Sequence, residues 1–178
     1  MDDTVENNNQ GTSVCLSGDG NVLAVGVPGC SSVIVYKYTG SWVKQYIASA
    51  SGNMGTSVSL SANGTILASG CPEDGGGVGS TKIFVDGILQ SVLVGTGYSG
   101  GGGIAFQGNS VSLSCNGNTL MVGAPLASSS WIFTKTGTDW VQQRRITSGY
   151  FQEGLCVSLS GNGGIGIAGS VGKVFVYA

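Results

Sequence analysis

Ser57-Val58-Ser59-Leu60-Ser61-Ala62-Asn63-Gly64-Thr65-Ile66-Leu67-Ala68-Ser69-Gly70-Cys71-Pro72 reads as one β-hairpin. Val58 and Leu60 alternate with serines, which is the period of a strand with one apolar face. Asn63-Gly64 then predicts a type I′ turn, with positive φ at both central residues. Ile66 to Ser69 is a second apolar run, and it stops at Gly70.

The hairpin recurs along the chain. Ser13-Val14-Cys15-Leu16-Ser17, Ser110-Val111-Ser112-Leu113-Ser114 and Cys156-Val157-Ser158-Leu159-Ser160 repeat its first strand. Val14, Val58, Val111 and Val157 fall 44, 53 and 46 residues apart. Each copy continues through a turn, Gly18-Asp19-Gly20, Cys115-Asn116-Gly117 or Gly161-Asn162-Gly163, into a second strand that ends at Gly26, Gly123 or Gly169. These glycines mark places where neighbouring units crowd. The Val-x-Leu side chains face one neighbour, and the intervening Ser or Cys faces the other.

A third strand follows in each copy: Val33 to Tyr36, Lys82 to Val85, Trp131 to Thr134 and Val174 to Tyr177. A fourth follows in three of them: Trp42 to Ile47, Ile88 to Leu93 and Trp140 to Ile146. β-branched and aromatic residues dominate, as strands favour. No segment has helical periodicity with caps. Four strands per repeat at this period predict an all-β protein, a β-propeller of four four-stranded antiparallel blades with the last blade incomplete. The blades are expected at about 11–50, 55–94, 108–147 and 154–178, after an N-terminal segment 1–10. A stacked solenoid is the rival arrangement.

These residues resemble the FG-GAP repeat of integrin-type β-propellers. The family pattern runs Phe-Gly, a strand containing Ser-Val, an Asp-Gly or Asn-Gly turn, an apolar strand and Gly-Ala-Pro. Gly123-Ala124-Pro125 matches the last element, and Gly26-Val27-Pro28 and Gly70-Cys71-Pro72 vary it. Gly11, Gly55, Gly108 and Gly154 stand at the Gly of Phe-Gly, with Gln10, Met54, Gln107 and Glu153 in place of the Phe. The resemblance implies a structural or binding propeller in an extracellular or virion-associated setting. It also implies a calcium loop, for which this chain lacks the acids. Calcium takes six to eight oxygen ligands, whereas Gly29 to Ser32 and Leu126 to Ser130 carry no charge and Glu73-Asp74 reads as a solvated turn. The family ring has seven blades, against four repeats here.

Composition narrows the function. The 178 residues contain 33 Gly, no His, 7 Lys plus Arg and 9 Asp plus Glu. A histidine-free chain cannot run Ser-His-Asp or Cys-His chemistry or build a His-containing zinc site. A net charge of −2 with scattered bases gives no footprint for nucleic acid. No stretch has the roughly 18 apolar residues of a membrane helix. Met1 to Asn9 is polar and acidic, unlike a signal or transit peptide. Cys15, Cys30, Cys71, Cys115 and Cys156 form no Cys-x-x-Cys pair and read mostly as small buried apolar residues. Asp19, Asp86 and Asp139 fall in turns, where Asp caps its own backbone. The glycine-rich stretch from Gly95 to Gly103 has neither the following helix nor the Lys of a phosphate loop, and reads as an inter-blade loop. Asn63-Gly64-Thr65 is a formal glycosylation sequon in a tight turn. No enzyme, cofactor or metal is expected.

Two binding readings follow. Charged residues are only 9% of the chain, and a weakly charged surface favours self-association. Val174, Phe175, Val176 and Tyr177 would form an unpaired apolar edge, for which Thr4 and Val5 are the expected closing strand, within the chain or from a neighbour. The resulting expectation is a homo-oligomer or polymer. The alternative is a propeller lectin whose glycan stacks on Tyr98, Tyr150 and Phe151, which lie outside the repeat pattern. Trp42 and Trp140 occupy equivalent repeat positions and read as packing between blades.

Overall fold

The computed structural model describes residues 8–98 and 103–178. Among these, sheet 1 comprises β1 (Val14–Leu16), β2 (Val22–Val27), β3 (Ser32–Tyr38) and β4 (Trp42–Ser49). Sheet 2 comprises β5 (Ser57–Leu60), β6 (Ile66–Cys71), β7 (Ser80–Val85) and β8 (Ile88–Leu93). Sheet 3 comprises β9 (Ser110–Leu113), β10 (Thr119–Ala124), β11 (Ser129–Thr136) and β12 (Asp139–Ile146). Sheet 4 has three strands, β13 (Cys156–Leu159), β14 (Gly166–Ser170) and β15 (Lys173–Tyr177). Strands pair antiparallel in chain order within every sheet. The register shifts at one equivalent place in sheets 1 to 3, between Val35 and Tyr36, Ile83 and Phe84, and Ile132 and Phe133. Such bulges increase the twist of a strand pair.

The first hairpin of each sheet corrects the expected turn. Gly20, Gly64, Gly117 and Gly163 have φ of 72°, 72°, 72° and 73°, but Asp19, Asn63, Asn116 and Asn162 are not left-handed. The turn is therefore not type I′. Gly20 N–H donates to the Ser17 carbonyl at 2.9 Å, and the same bond recurs at Gly64, Gly117 and Gly163. The reason is a serine that the strand alternation leaves beside the turn. Ser17 Oγ donates to Asp19 Oδ1 at 2.6 Å and accepts from Val22 N–H at 2.9 Å. Ser61 with Asn63, Ser114 with Asn116 and Ser160 with Asn162 repeat the donor bond. This side-chain knot fixes a four-residue loop in which only the glycine needs positive φ.

Another local feature recurs just before each first strand. Asn9, Asn53, Phe106 and Gln152 are left-handed, with φ between 55° and 58°. Asn9 thus belongs to the turn that leads into sheet 1. Asn8 accepts from Gly29 N–H of the same sheet at 3.0 Å. The expected closing strand at Thr4 and Val5 lies outside the described residues.

Sheets pack face to face in chain order. Val58 and Leu60 of sheet 2 share a buried cluster with Ala24, Val33 and Val35 of sheet 1. Val111, Leu113, Leu120 and Trp131 of sheet 3 do the same with Ala68 and Ile83 of sheet 2. Met121 and Ile146 of sheet 3 meet Ala168, with Val157 and Leu159, of sheet 4. β1 packs on β5, β5 on β9 and β9 on β13, but among the described strands β13 makes no comparable contact with β1, so the described array is open.

Candidate interaction surface

The junctions between sheets share one chemistry. Ser13 Oγ donates to the Gly55 carbonyl at 2.8 Å, Ser57 Oγ to Gly108 at 2.8 Å and Ser110 Oγ to Gly154 at 3.0 Å. Two positions on, Cys15 Sγ, Ser59 Oγ and Ser112 Oγ accept from the N–H of Leu60, Leu113 and Leu159. At the turn, Gly18 N–H donates to Ala62, Ala62 to Cys115 and Cys115 to Gly161, each at 2.8 Å. The repeat glycines are the space this requires. A Cβ on Gly26, Gly70 or Gly123 would collide with the carbonyl oxygen of Gly55, Gly108 or Gly154 in the next sheet.

At the two ends of the array the same positions are uncovered. Val58 and Leu60 are 9% and 6% exposed, while their counterparts Val14 and Leu16 are 64% and 55% exposed. Val33 and Val35 are 0% and 1% exposed, while their counterparts Val174 and Val176 are each 69% exposed. Val14, Cys15, Leu16, Leu23 and Trp42 line an open apolar groove on sheet 1. Cys156, Val157, Ser158, Ile167, Gly169 and Val174 line another on sheet 4. Burying one Val or Leu side chain is worth about 1.5–3 kcal/mol, so these two faces carry a large unsatisfied tendency to be covered.

The residues expected at a binding site are spread over different environments. Tyr98 is half-buried, lies edge-on to Trp131 with ring centroids 5.9 Å apart, and donates its hydroxyl to the Gly103 carbonyl at 2.7 Å. Tyr150 is exposed beside Phe175 of β15, at 5.3 Å between centroids, with Lys173 Nζ 3.9 Å from its ring centre. Phe151 is 73% exposed. Tyr150 therefore adjoins sheet 4, whereas Tyr98 is packing on sheet 3. Tyr177 at the far end of β15 donates to Glu153 Oε1 at 3.0 Å. Burial, then the hydrogen bond and charge of Glu153, push the Tyr177 phenol up to about 12. Trp140 packs against the cluster between sheets 2 and 3 and lines a small cavity with Ile66. Trp42 lies 5.5 Å from Tyr38 between ring centroids and packs against the cluster of Val25, Val27, Ile34 and Tyr36 in sheet 1.

Glu73-Asp74 is not simply a solvated turn. Lys82 Nζ, buried at the Trp131-equivalent position of β7, lies 3.1 Å from Asp74 Oδ2. Ser80 and Ser51 hydroxyls also donate to that carboxylate, each at 2.8 Å. Burial opposes ionisation of Asp74, but the bonds from Ser80, Ser51 and Lys82 outweigh it and hold the carboxyl below its usual range. The lysine is what makes this a pinned corner, because Ser51 comes from the segment after sheet 1 and Lys82 also donates to its carbonyl at 2.9 Å.

Sequence reasoning also missed a clamp. Gln107 is buried, and its side-chain amide bonds both N–H and C=O of Gly95. Glu153 is buried and accepts from both the backbone N–H and the hydroxyl of Ser148. The signal was their shared position just before the repeat glycine, where Met54 is also buried. All five cysteines are free thiols. Among the described residues no three His, Cys, Asp or Glu side chains lie together as metal ligands.

No protein-family model and no curated protein matches the chain. Solved structures do resemble it. Hydrazine synthase of Kuenenia stuttgartiensis aligns over 99% of this chain and 48% of its own, at TM-score 0.70 and 14% identity. A chain of the mitotic checkpoint complex aligns over 93% of this chain and 49% of its own, at TM-score 0.69 and 15% identity. The β-propeller domain of Myceliophteria thermophila Cps50 (Swd1) aligns over 92% and 52%, at TM-score 0.64 and 12% identity. At these identities the likeness is one of fold, and the fold is that of a β-propeller. The chain spans about half the length of the solved chains it matches.

Proposed function

We propose that this chain is a non-enzymatic structural or interaction module, built of four FG-GAP-like blades, that assembles with further copies of itself. The observation that carries the reading is the contrast between Val14 and Leu16, open to solvent, and Val58 and Leu60, sealed by the preceding sheet. A propeller chain related in fold belongs to the mitotic checkpoint complex, which supports protein partners as the business of such blades. The repeat resemblance points to an extracellular, coat or virion-type assembly. Light scattering of the purified chain over a range of concentrations tests the reading. A mass above the 17.8 kDa of one chain is expected, and a mass of one chain at every concentration would overturn it.

Glycan binding is the second reading, favoured by the exposed Phe151 beside Tyr150. A glycan array tests it, with Phe151→Ala expected to weaken any sugar bound by stacking, and no binder on the array removes the reading.

A further inference from the structure

We infer that two copies of this chain close one ring of eight blades, sheet 4 of each copy packing on sheet 1 of the other. The inference rests on the self-assembly reading and names its interface. Four sheets per copy give the eight.

The two uncovered faces are the two halves of one junction. Inside the chain, each junction joins a Val-x-Leu face to the face formed by the middle strands of the preceding sheet. Sheet 1 offers the first half, with no described sheet packed over it: Val14, Leu16 and Trp42. Sheet 4 offers the second, with no described sheet packed over it: Ile165, Ile167, Val174 and Val176, between 40% and 69% exposed. The match extends to individual positions. Trp140 and Ile66 of the preceding sheet line one small cavity, and the repeat places Ile165 at the Ile66 position and Trp42 at the Trp140 position. Trp42 of one copy therefore meets the partner's Ile165. No charged side chain lines either groove.

The polar groups match as well. β1 and β2 pair so that Ser17 N–H and Gly26 N–H lie on their ladder, which turns the Leu16 N–H away from it. Internal junctions use that N–H, the carbonyl at the Gly55 position and the carbonyl at the Ala62 position. Sheet 1 supplies Leu16 N–H, Gly11 C=O and Gly18 C=O. Sheet 4 supplies their complements, Ser158 Oγ, the Cys156 thiol and Gly161 N–H, and no described sheet stands beyond to receive them. The occupant is a second copy because each end displays what the other end lacks, while Val14, Leu16, Val174 and Val176 remain 55% to 69% exposed within one chain.

The test is native mass spectrometry and light scattering of the purified chain, with one variant for each face. The expected mass is twice 17.8 kDa and does not grow with concentration. Gly169→Ala should give a folded monomer. Its Cβ meets only the movable Cys156 thiol within the chain, but would strike the carbonyl of the partner's Gly11, as Gly26, Gly70 and Gly123 would strike theirs. Val14→Asp should give a folded monomer through the opposite face. Ile88→Asp, on exposed β8, should remain a dimer. Cys156 in the wild-type dimer should react with iodoacetamide about tenfold more slowly than in Val14→Asp, because cover suppresses thiol reactivity.

A wild-type monomer overturns both the ring and the self-assembly reading. A polymer larger than two copies overturns the ring alone, as does a dimer indifferent to both substitutions. If neither variant folds, Cys156 labelling of the wild type decides, and a freely reactive Cys156 overturns the ring.

Discussion

Lys82 Nζ stands 3.1 Å from Asp74 Oδ2, inside a corner that ties sheet 2 to the segment leaving sheet 1. The lysine is buried and the carboxylate is partly covered, so the pair is held by geometry rather than by surface attraction. Asp74→Ala leaves a buried ammonium without its counter-charge and should cost about 3 kcal/mol in urea unfolding. Adding Lys82→Met should restore much of that loss, since an apolar chain of similar length suits the site. If the double variant is no more stable than the single one, the buried charge is not the source of the cost.

Thr81 Oγ1 and Ser130 Oγ are buried without a hydrogen-bond partner. Both occupy the repeat position that holds Val33 in sheet 1 and Val174 in sheet 4. Thr81→Val removes the orphaned hydroxyl while keeping the branched shape. It should stabilise the chain by about 1 kcal/mol, the scale of an unmet buried polar group. Unchanged or lowered stability in chemical denaturation would show that the hydroxyl has a partner.

Asp19 is held down to about 2, first by the Ser17 hydroxyl and then by the backbone and side chain of Asn21. A carboxyl whose folded pKa is lowered adds stability that is fully present above its unfolded value of 3.8 and is lost as pH falls toward 2. Asn fills this turn position in the other three repeats, accepting the same serine bond. Asp19→Asn should therefore leave the unfolding midpoint at pH 7 unchanged. It should also flatten the decline of stability between pH 3.8 and 2, as read by unfolding at successive pH values. An equally steep decline would assign the effect to other acids, Asp74 first.

Gly70→Ala puts a methyl group into the Gly108 carbonyl, backbone against backbone, where neither side can turn away. It should destabilise the chain by at least about 3 kcal/mol, or prevent folding. Circular dichroism and thermal unfolding would show it, and a native-like melting temperature would mean that adjacent sheets can separate at little cost.

How far the residues disclose the architecture depends on whether a feature is local. Val58 and Leu60, the serines between them and Gly70 mark strand, face and close approach wherever they recur, because each acts within one repeat or against the next. Val14 and Val58 sit in the same pattern and have opposite fates, since burial is decided by what stands opposite. The αL turns carry a residue signal at Asn9 and Asn53, since Asn tolerates positive φ, but none at Phe106 and Gln152. Gln107 and Glu153 hide in a position where the family resemblance led to a Phe. The Asp74–Lys82 corner joins residues whose only sequence signal was a polar side chain in an apolar strand. Tyr98 stood outside the repeat and invited a binding role, but its partner Trp131 lies 33 positions away in the sequence.

The bonds from Ser13, Ser57 and Ser110 all end on a glycine carbonyl of the following sheet. Recognition between neighbouring units is thereby addressed to main chain on the accepting side, and that position is confined to glycine, because Gly55, Gly108 and Gly154 have positive φ and a Cβ there would strike the backbone of the sheet before it. It is also directional: every unit has a giving and a receiving side, and a unit inverted in the array would find no match. A gene that duplicated or lost one whole repeat would create no unfamiliar contact. Variation in copy number, rather than substitution at the contacts, is the cheapest change this architecture permits.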